Sequence, residues 1–293
     1  MTLLITGATG YIGLELVKKL QSIYAVVALV RENSNVEQLQ KLNSTIVQYK
    51  DYTDIHNIFN MHKFDGIVHL ASNVVVEHHA SDIAPLIASN ITFGTYLLEA
   101  CKQNNVKWFI NTGTFWQNFE DQKYNPVNLY AATKEAFEVT AKYFTETSDL
   151  TFTTIKLNDT FGPNDPRPKV LNLWTKIARS GETLQMSAGE QIIDISYIDD
   201  VVSAYIQLIS LLELDTIPYK DKSFVVANKE RVTLKELAKI FQEVTQTQLN
   251  IEWGAREYRE REVMTPFKQG MGVPGWEQQY TIKEAIRKTV KEL

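Results

Sequence analysis

Tyr130 and Lys134 stand four residues apart in the stretch NLYAATKEAFE, and Thr114 closes the earlier stretch WFINTGT. On a helix, four-residue spacing puts a phenol and an ammonium on one face. An unperturbed phenol titrates near ~10 and is a poor base at neutral pH. A nearby ammonium, helped by the charge of a nicotinamide, favours the phenolate and brings it toward working pH, which is what a tyrosine acid/base needs. A hydroxyl at Thr114 would hydrogen-bond a substrate oxygen and orient it toward Tyr130. Taken alone, Tyr-x-x-x-Lys also describes an ordinary solvated surface pair. The order of the surrounding elements is what favours chemistry.

The elements that must position these groups begin at the first residues, MTLLITGATGYIGLELVKKL. Leu3-Leu4-Ile5 has the character of a buried parallel strand. Gly7, Gly10 and Gly13 follow in Gly-x-x-Gly-x-x-Gly spacing, and Leu14, Val17 and Leu20 then recur with helical period. Gly7 permits the tight turn, Gly10 lets the backbone approach a pyrophosphate, and Gly13 lets helix and strand pack closely. The helix start offers unpaired N–H groups to phosphate. Gly7, Thr9, Gly10, Tyr11, Ile12 and Gly13 are therefore expected around a dinucleotide.

A second strand, Ala25 to Val30, ends at Arg31-Glu32-Asn33-Ser34. An acid at this position accepts from the 2′-hydroxyl of NAD, whereas an arginine accommodates the 2′-phosphate of NADP. Arg31, Asn33 and Ser34 thus point to NADPH; the competing reading leaves Arg31 solvated, with Glu32 on the ribose. After the third strand, Thr45 to Tyr49, Asp51 can hold the adenine amino group or cap the next helix, and Tyr52 lies beside it. The fourth strand, Phe64 to Ala71, should present Leu70, Ala71 and Ser72 to the cofactor crevice, with His69 in the core. Trp108 to Ile110 is a fifth strand that leads to Thr114. Lys134 would also reach the nicotinamide ribose. The following loop carries Trp116, Phe119 and Tyr124, as a sugar pocket or as local core.

Thr151 to Leu157 is a sixth strand, and Asn158-Asp159 then leaves the sheet. Val170 to Arg179 is an amphipathic helix. Gln191 to Ile198 is expected as one strand, followed by a helix that Asp199-Asp200 caps. Ser223 to Ala227 is a strand, and Thr233 with Glu236 boxes the start of a helix from Leu234 to Val244. Arg256, Arg259 and Arg261 offer fixed charge for a pyrophosphate or form a solvated run. A closing helix is expected from Ile282 to Leu293. The fold class is α/β: a Rossmann-type doubly wound parallel sheet with a smaller α/β lobe. The expected division is 1–160 with 192–228 for the dinucleotide, and 161–191 with 229–293 for the substrate.

The 293 residues are 44% hydrophobic and 22% charged, ordinary values for a globular chain, and the net charge of −5 argues against nucleic acid. No run is apolar and long enough to span a bilayer. The strand at the very start leaves no room for a signal peptide, and the single Cys101 suits a reducing compartment. A cytoplasmic location is expected. His78 and His79 lack partners at ligand spacing, so no metal site is expected.

The stretches ITGATGYIG, DGIVHLAS, SNITFGTYLLEAC, WFINTGTFW, NLYAATKEAFE, FGPNDP and DISYIDDVVSAY cover most of the chain. Together they resemble the extended short-chain dehydrogenase/reductases of the nucleotide-sugar epimerase/dehydratase/reductase type. The resemblance implies Thr114, Tyr130 and Lys134 as catalytic residues, and Asp51 and Asn90 at cofactor positions. It also implies Thr112 and Leu157 along the crevice, Trp116, Asp159 and Arg256 toward the sugar nucleotide, and a homodimer through the helices carrying Asn90 and Tyr130. Dehydratases of the family carry Asp-Glu after the catalytic Ser/Thr, where this chain has Phe115-Trp116. Epimerases usually end strand two in Asp, where it has Arg31. NTGTFWQ, YNPVNLYAATK and IEWGAREYREREVM are similar to CDP-abequose and CDP-paratose synthases, which reduce a CDP-linked 4-keto-3,6-dideoxyhexose for surface polysaccharide such as the lipopolysaccharide O-antigen. The alternatives are an NAD-dependent nucleotide-sugar epimerase and a non-catalytic NADP-sensing protein.

Overall fold

The computed structural model describes residues 1–290. The first half runs β1 (Thr2–Thr6), α1 (Tyr11–Leu20), β2 (Ala25–Arg31), β3 (Thr45–Tyr49), α2 (Asp54–Met61), β4 (Gly66–His69), α3 (Ile83–Ile87), α4 (Phe93–Gln103), β5 (Trp108–Thr114), α5 (Leu129–Glu146) and β6 (Thr151–Leu157). The second runs β7 (Asp159–Phe161), α6 (Val170–Ser180), β8 (Leu184–Met186), β9 (Ile192–Ile193), β10 (Ile195–Tyr197), α7 (Ile198–Leu214), β11 (Lys222–Val226), β12 (Val232–Thr233), α8 (Leu234–Thr245), β13 (Ile251–Trp253), β14 (Met271–Gly272) and α9 (Ile282–Thr289).

Eight strands make one sheet in the order β14-β11-β6-β5-β4-β1-β2-β3, every neighbouring pair parallel. The chain winds outward from β1 to β3, then crosses back to β4. The switch point lies between β1 and β4, where an α/β sheet opens a crevice at the strand ends. Strand residues alternate between two cores. Leu3, Ile5, Val26 and Ala28 face the cluster under α1, α6, α7, α8 and α9. Leu4, Val27 and Leu29 face the cluster under α2, α4 and α5. Burial on both faces explains the unbroken apolar runs of these strands.

The expected helix from Ser89 begins differently. Ala88–Thr92 forms a wide π-type turn, and α4 follows from Phe93. A Cβ at Gly94 would lie 2.4 Å from the Phe137 ring, so the small residue sets how closely α4 meets α5.

Three two-stranded pieces lie outside the large sheet: β10 with β7, β12 with β9, and β13 with β8. The expected single strand from Gln191 to Ile198 is broken at Asp194. That carboxylate is buried and accepts from Arg231 Nε at 2.8 Å and the Asn228 amide at 3.1 Å, so β9 and β10 join different partners. Asp200 does not cap α7. It accepts from the Gln279 and Tyr280 amides and pins the C-terminal segment onto that helix. The Thr233–Glu236 capping box forms as expected. The closing helix covers Ile282–Thr289; the part expected over 291–293 lies outside the described residues. We propose the two-lobe division anticipated from sequence, with β14 as an exception that adds to the large sheet beside β11.

Candidate functional site

The crevice starts at the glycine turn. Gly7 has φ +67°, and a Cβ there would sit 2.6 Å from the Ala71 amide nitrogen. A Cβ at Gly13 would lie 2.2 Å from Gly7 O. No side chain fits at either position, so backbone lies directly against backbone at the switch point. A groove of about 490 Å³ opens here. Gly7, Thr9, Gly10, Arg31, Ser34 and Tyr52 line it, with Leu70, Ala71 and Ser72 on the β4 side. A hollow of about 470 Å³ continues from it past Arg31, Asn33, Ser34, Asp51 and Tyr52. Asp51 also accepts from the Thr53 amide and hydroxyl, both at 2.9 Å, which holds its carboxyl below the usual range. Thr53 holds the position before α2 and makes no side-chain cap bond, its hydroxyl going to Asp51 instead.

Five expected cofactor residues sit differently. Tyr11 sends its hydroxyl to Pro163 O at 3.2 Å, with Arg167 over its ring, and Ile12 packs on the core, so only their backbone can serve a phosphate. Asn90 is fully buried. Its oxygen accepts from Ser72 Oγ and the Asn73 amide, and its nitrogen donates to Asn73 O and Thr133 Oγ1. All four amide positions are satisfied by protein, so Asn90 braces the loop after β4, which carries Ser72 of the groove, against α5. Thr112 pairs with Tyr205 on α7 at 2.7 Å, and Leu157 is a core residue. Alternation and register place both on the same sheet face as Thr114, Thr112 two residues before it on β5 and Leu157 beside it on β6.

Asn128 caps α5 by accepting from the Ala131 amide at 3.0 Å, which fixes Tyr130 in the first turn. Thr114, mostly buried, ends β5, and Trp116 meets the Tyr130 ring edge-on at 6.4 Å. Lys134 is 1% exposed, and its Nζ has no hydrogen-bond partner. A buried ammonium left open in this way fits the ribose hydroxyls of a nicotinamide nucleotide lying along the groove.

A second cleft of about 520 Å³ lies on the lobe side, lined by Trp116, Asp159 and Arg256 as expected, and also by Arg259, Arg261 and Lys169. Asp159 is paired with Lys169. Arg261 donates to Asn125 and lies over the Phe119 ring at 4.4 Å. Of the loop aromatics, Trp116 faces the cleft and Phe119 supports an arginine that does. Val76, Glu77 and Val127 complete the near wall. Glu77 and Lys169 carry no motif, and only the chain's return path brings them here.

A family model described as the NAD dependent epimerase/dehydratase family matches residues 3–217. The chain belongs to that family. It is 28% identical over 297 residues to a CDP-abequose synthase of Salmonella muenchen, covering 98% of this chain and 96% of that protein. Its fold matches a UDP-glucose 4-epimerase from Thermotoga maritima solved with UDP-glucose (TM-score 0.84, 24% identity, 99% and 97% of the two chains). It also matches a UDP-glucuronic acid 4-epimerase from Bacillus cereus solved with UDP-glucuronic acid and NAD (TM-score 0.84, 19% identity, 98% and 97%).

In this epimerase/dehydratase family member burial pushes the Tyr130 phenol of the cofactor-free protein up to about 12, against hydrogen bonding from Ser72 and Thr114. The lowering expected of Lys134 acts together with the charge of a bound nicotinamide. Lys134 itself is lowered to about 8 by burial, partly offset by Glu138. Desolvation is the largest cause for both groups. At neutral pH the phenol is therefore protonated, as a proton donor must be. Among the described residues no cluster of His, Cys, Asp and Glu could hold a metal, and no helix is long and apolar enough to cross a membrane.

Lys134 titrates near 10.5 unfolded and about 8 folded. Between these values the unfolded chain binds the extra proton, so this group makes stability rise with pH. Lys134→Met should therefore raise the stability of the cofactor-free protein at pH 7, by roughly 3 kcal/mol at most at ~1.4 kcal/mol per pH unit. The gain should shrink between pH 8 and 10.5. Urea unfolding of both proteins across this range checks it; a destabilised variant would contradict it.

Proposed function

We propose that this chain is an NADPH-dependent reductase acting on the 4-keto group of a nucleotide-linked deoxyhexose. The specific reaction is CDP-4-keto-3,6-dideoxyglucose to CDP-abequose or CDP-paratose, for surface polysaccharide. The observation that carries this reading is the setting of Tyr130 in the first turn of α5, with Thr114 and Ser72 on its oxygen side and Trp116 of the sugar cleft against its ring. A reductase starts from the protonated tyrosine. The residue after Thr114 is Phe115, buried against Phe267, and no carboxylate stands there to drive loss of water. Val76, Val127 and Trp116 give the cleft an apolar wall suited to a sugar stripped of hydroxyls.

Bound NADPH supplies a hydride to C4. The glycine turn would hold its pyrophosphate, Arg31 with Asn33 and Ser34 its 2′-phosphate, and Lys134 its nicotinamide ribose. Thr114 donates to the carbonyl oxygen and steadies the charge that grows on it. The Tyr130 O–H bond breaks as its proton moves to that oxygen, leaving a hydroxyl at C4 and a phenolate beside charged Lys134. Arg256, Arg259 and Arg261 would hold the sugar-nucleotide pyrophosphate.

An NAD-dependent nucleotide-sugar epimerase is the second reading, favoured by the fold likeness to the Thermotoga maritima enzyme. A homodimer is part of the first proposal. Val139 and Tyr143 on α5 and Tyr96 on α4 are exposed, and together they offer an apolar face for a second copy.

Tyr130→Phe should lower kcat by about 10²–10⁴-fold with an unchanged melting temperature; near-normal turnover of CDP-4-keto-3,6-dideoxyglucose with NADPH would refute the acid role. Arg31→Ala should weaken NADPH far more than NADH in fluorescence titrations, and equal weakening would favour the NAD reading. Sedimentation should show a dimer that Val139→Glu dissociates; a monomeric parent protein would remove that part of the proposal.

A further inference from the structure

Behind the reacting face of Tyr130 lies a set of polar side chains that the proton transfer does not itself use. Gln117 is fully buried. Its Oε1 accepts the Thr114 N–H at 2.8 Å, and its Nε2 donates to Glu138 Oε1 at 2.8 Å and Glu135 Oε2 at 2.7 Å. Glu138 follows Lys134 by four residues on α5, so the two share a face. Lys156, on β6 and 7% exposed, donates to Asn118 Oδ1 at 2.8 Å. Gly113 is the gap that admits this set: a Cβ there would lie 2.7 Å from Gln117 Oε1 and 2.9 Å from Lys156 Cγ.

Two carboxylates meeting at one amide repel each other, and inside a protein they persist only with cations nearby. Lys134 on their own helix and Lys156 from β6 are those cations. On its other side Lys134 faces His69 from β4. That ring bonds Thr6 Oγ1 through Nδ1 and is held well below its ordinary range, by burial first and then by Lys134, so it is neutral. Glu138 is therefore the group that opposes the desolvation of Lys134.

We infer that Glu138 and Gln117 are positioning residues for the proposed reaction: Glu138 keeps Lys134 charged within the protein, and Gln117 ties that charge to the Thr114 backbone. The chain Thr114 N–H, Gln117 amide, Glu138 carboxylate joins β5 to α5, and Lys134 lies one turn earlier on the same helix, within reach of the Glu138 charge but not hydrogen-bonded to it. The inference rests on the reductase reading for its catalytic half and on the fold alone for its electrostatic half.

Glu138→Gln keeps the shape and an acceptor for Gln117 but removes the charge. Two measurements test it. The first is unfolding against pH without cofactor or substrate. There the Lys134 contribution, defined by comparison with Lys134→Met, should begin at a pH lower by about half a unit or more in Glu138→Gln. Within Lys134→Met, the same change should not move the profile. The second is kcat against pH with NADPH and CDP-4-keto-3,6-dideoxyglucose, whose alkaline limb should move down by a similar amount. Gln117→Ala should lower kcat about tenfold or more, with KM for the sugar nucleotide little changed. Unmoved unfolding and kcat profiles in Glu138→Gln would overturn the inference even with Tyr130→Phe inactive. An active Tyr130→Phe would instead overturn the reductase reading, while the substrate-free profile still decides whether Glu138 holds the charge.

Discussion

The contact on which the site depends is made without side chains. Gly7 touches the backbone of Ala71, and Gly13 touches the carbonyl of Gly7, so β1, α1 and the end of β4 meet at the closest separation a chain allows. That contact sets the switch point of the sheet. It also fixes the direction in which α1 offers its first N–H groups, and the position of the groove relative to Arg31 on β2. A methyl group at either glycine would push these elements apart.

From the crevice the structure exchanges stability for chemistry in one place. Lys134 is buried without a hydrogen-bond partner, a cost that a folded protein normally avoids. Tyr130, one helical turn away, is forced to keep its proton. Around them the polar groups are used up by one another: Asn90 by Ser72, Asn73 and Thr133, Thr112 by Tyr205, Gln117 by Thr114, Glu135 and Glu138. Lys134 Nζ and His69 Nε2 are left open among them. Neighbours fixed by one another in this way hold the reacting groups in place, which is what preorganisation requires.

The second half of the chain follows a different logic. Its three short strand pairs and two capped helices share the core beneath α1 and α7. Buried polar staples do the joining: Asp194 with Arg231 and Asn228, Asp200 with the backbone of Gln279 and Tyr280. Local reasoning places Asp194 within a strand and assigns Asp200 to capping. The partner that claims each comes from 34 to 80 residues further along the chain.

By itself the amino-acid sequence determined the parallel sheet, the glycine turn, the spacing of Tyr130 and Lys134, and the place of Thr114 at a strand end. These depend on period, turn chemistry and order, which are local. Family motifs added the epimerase/dehydratase assignment. Only the tertiary structure decided that Asn90, Thr112 and Leu157 face protein, that Gln191 to Ile198 breaks at Asp194, and that Glu77 and Lys169 join the sugar cleft. It alone decided the direction in which Tyr130 and Lys134 titrate. The physical reason is the same in each case: a polar side chain's role depends on which distant group reaches it first and how much water remains, and neither is written in the spacing of neighbours along the chain.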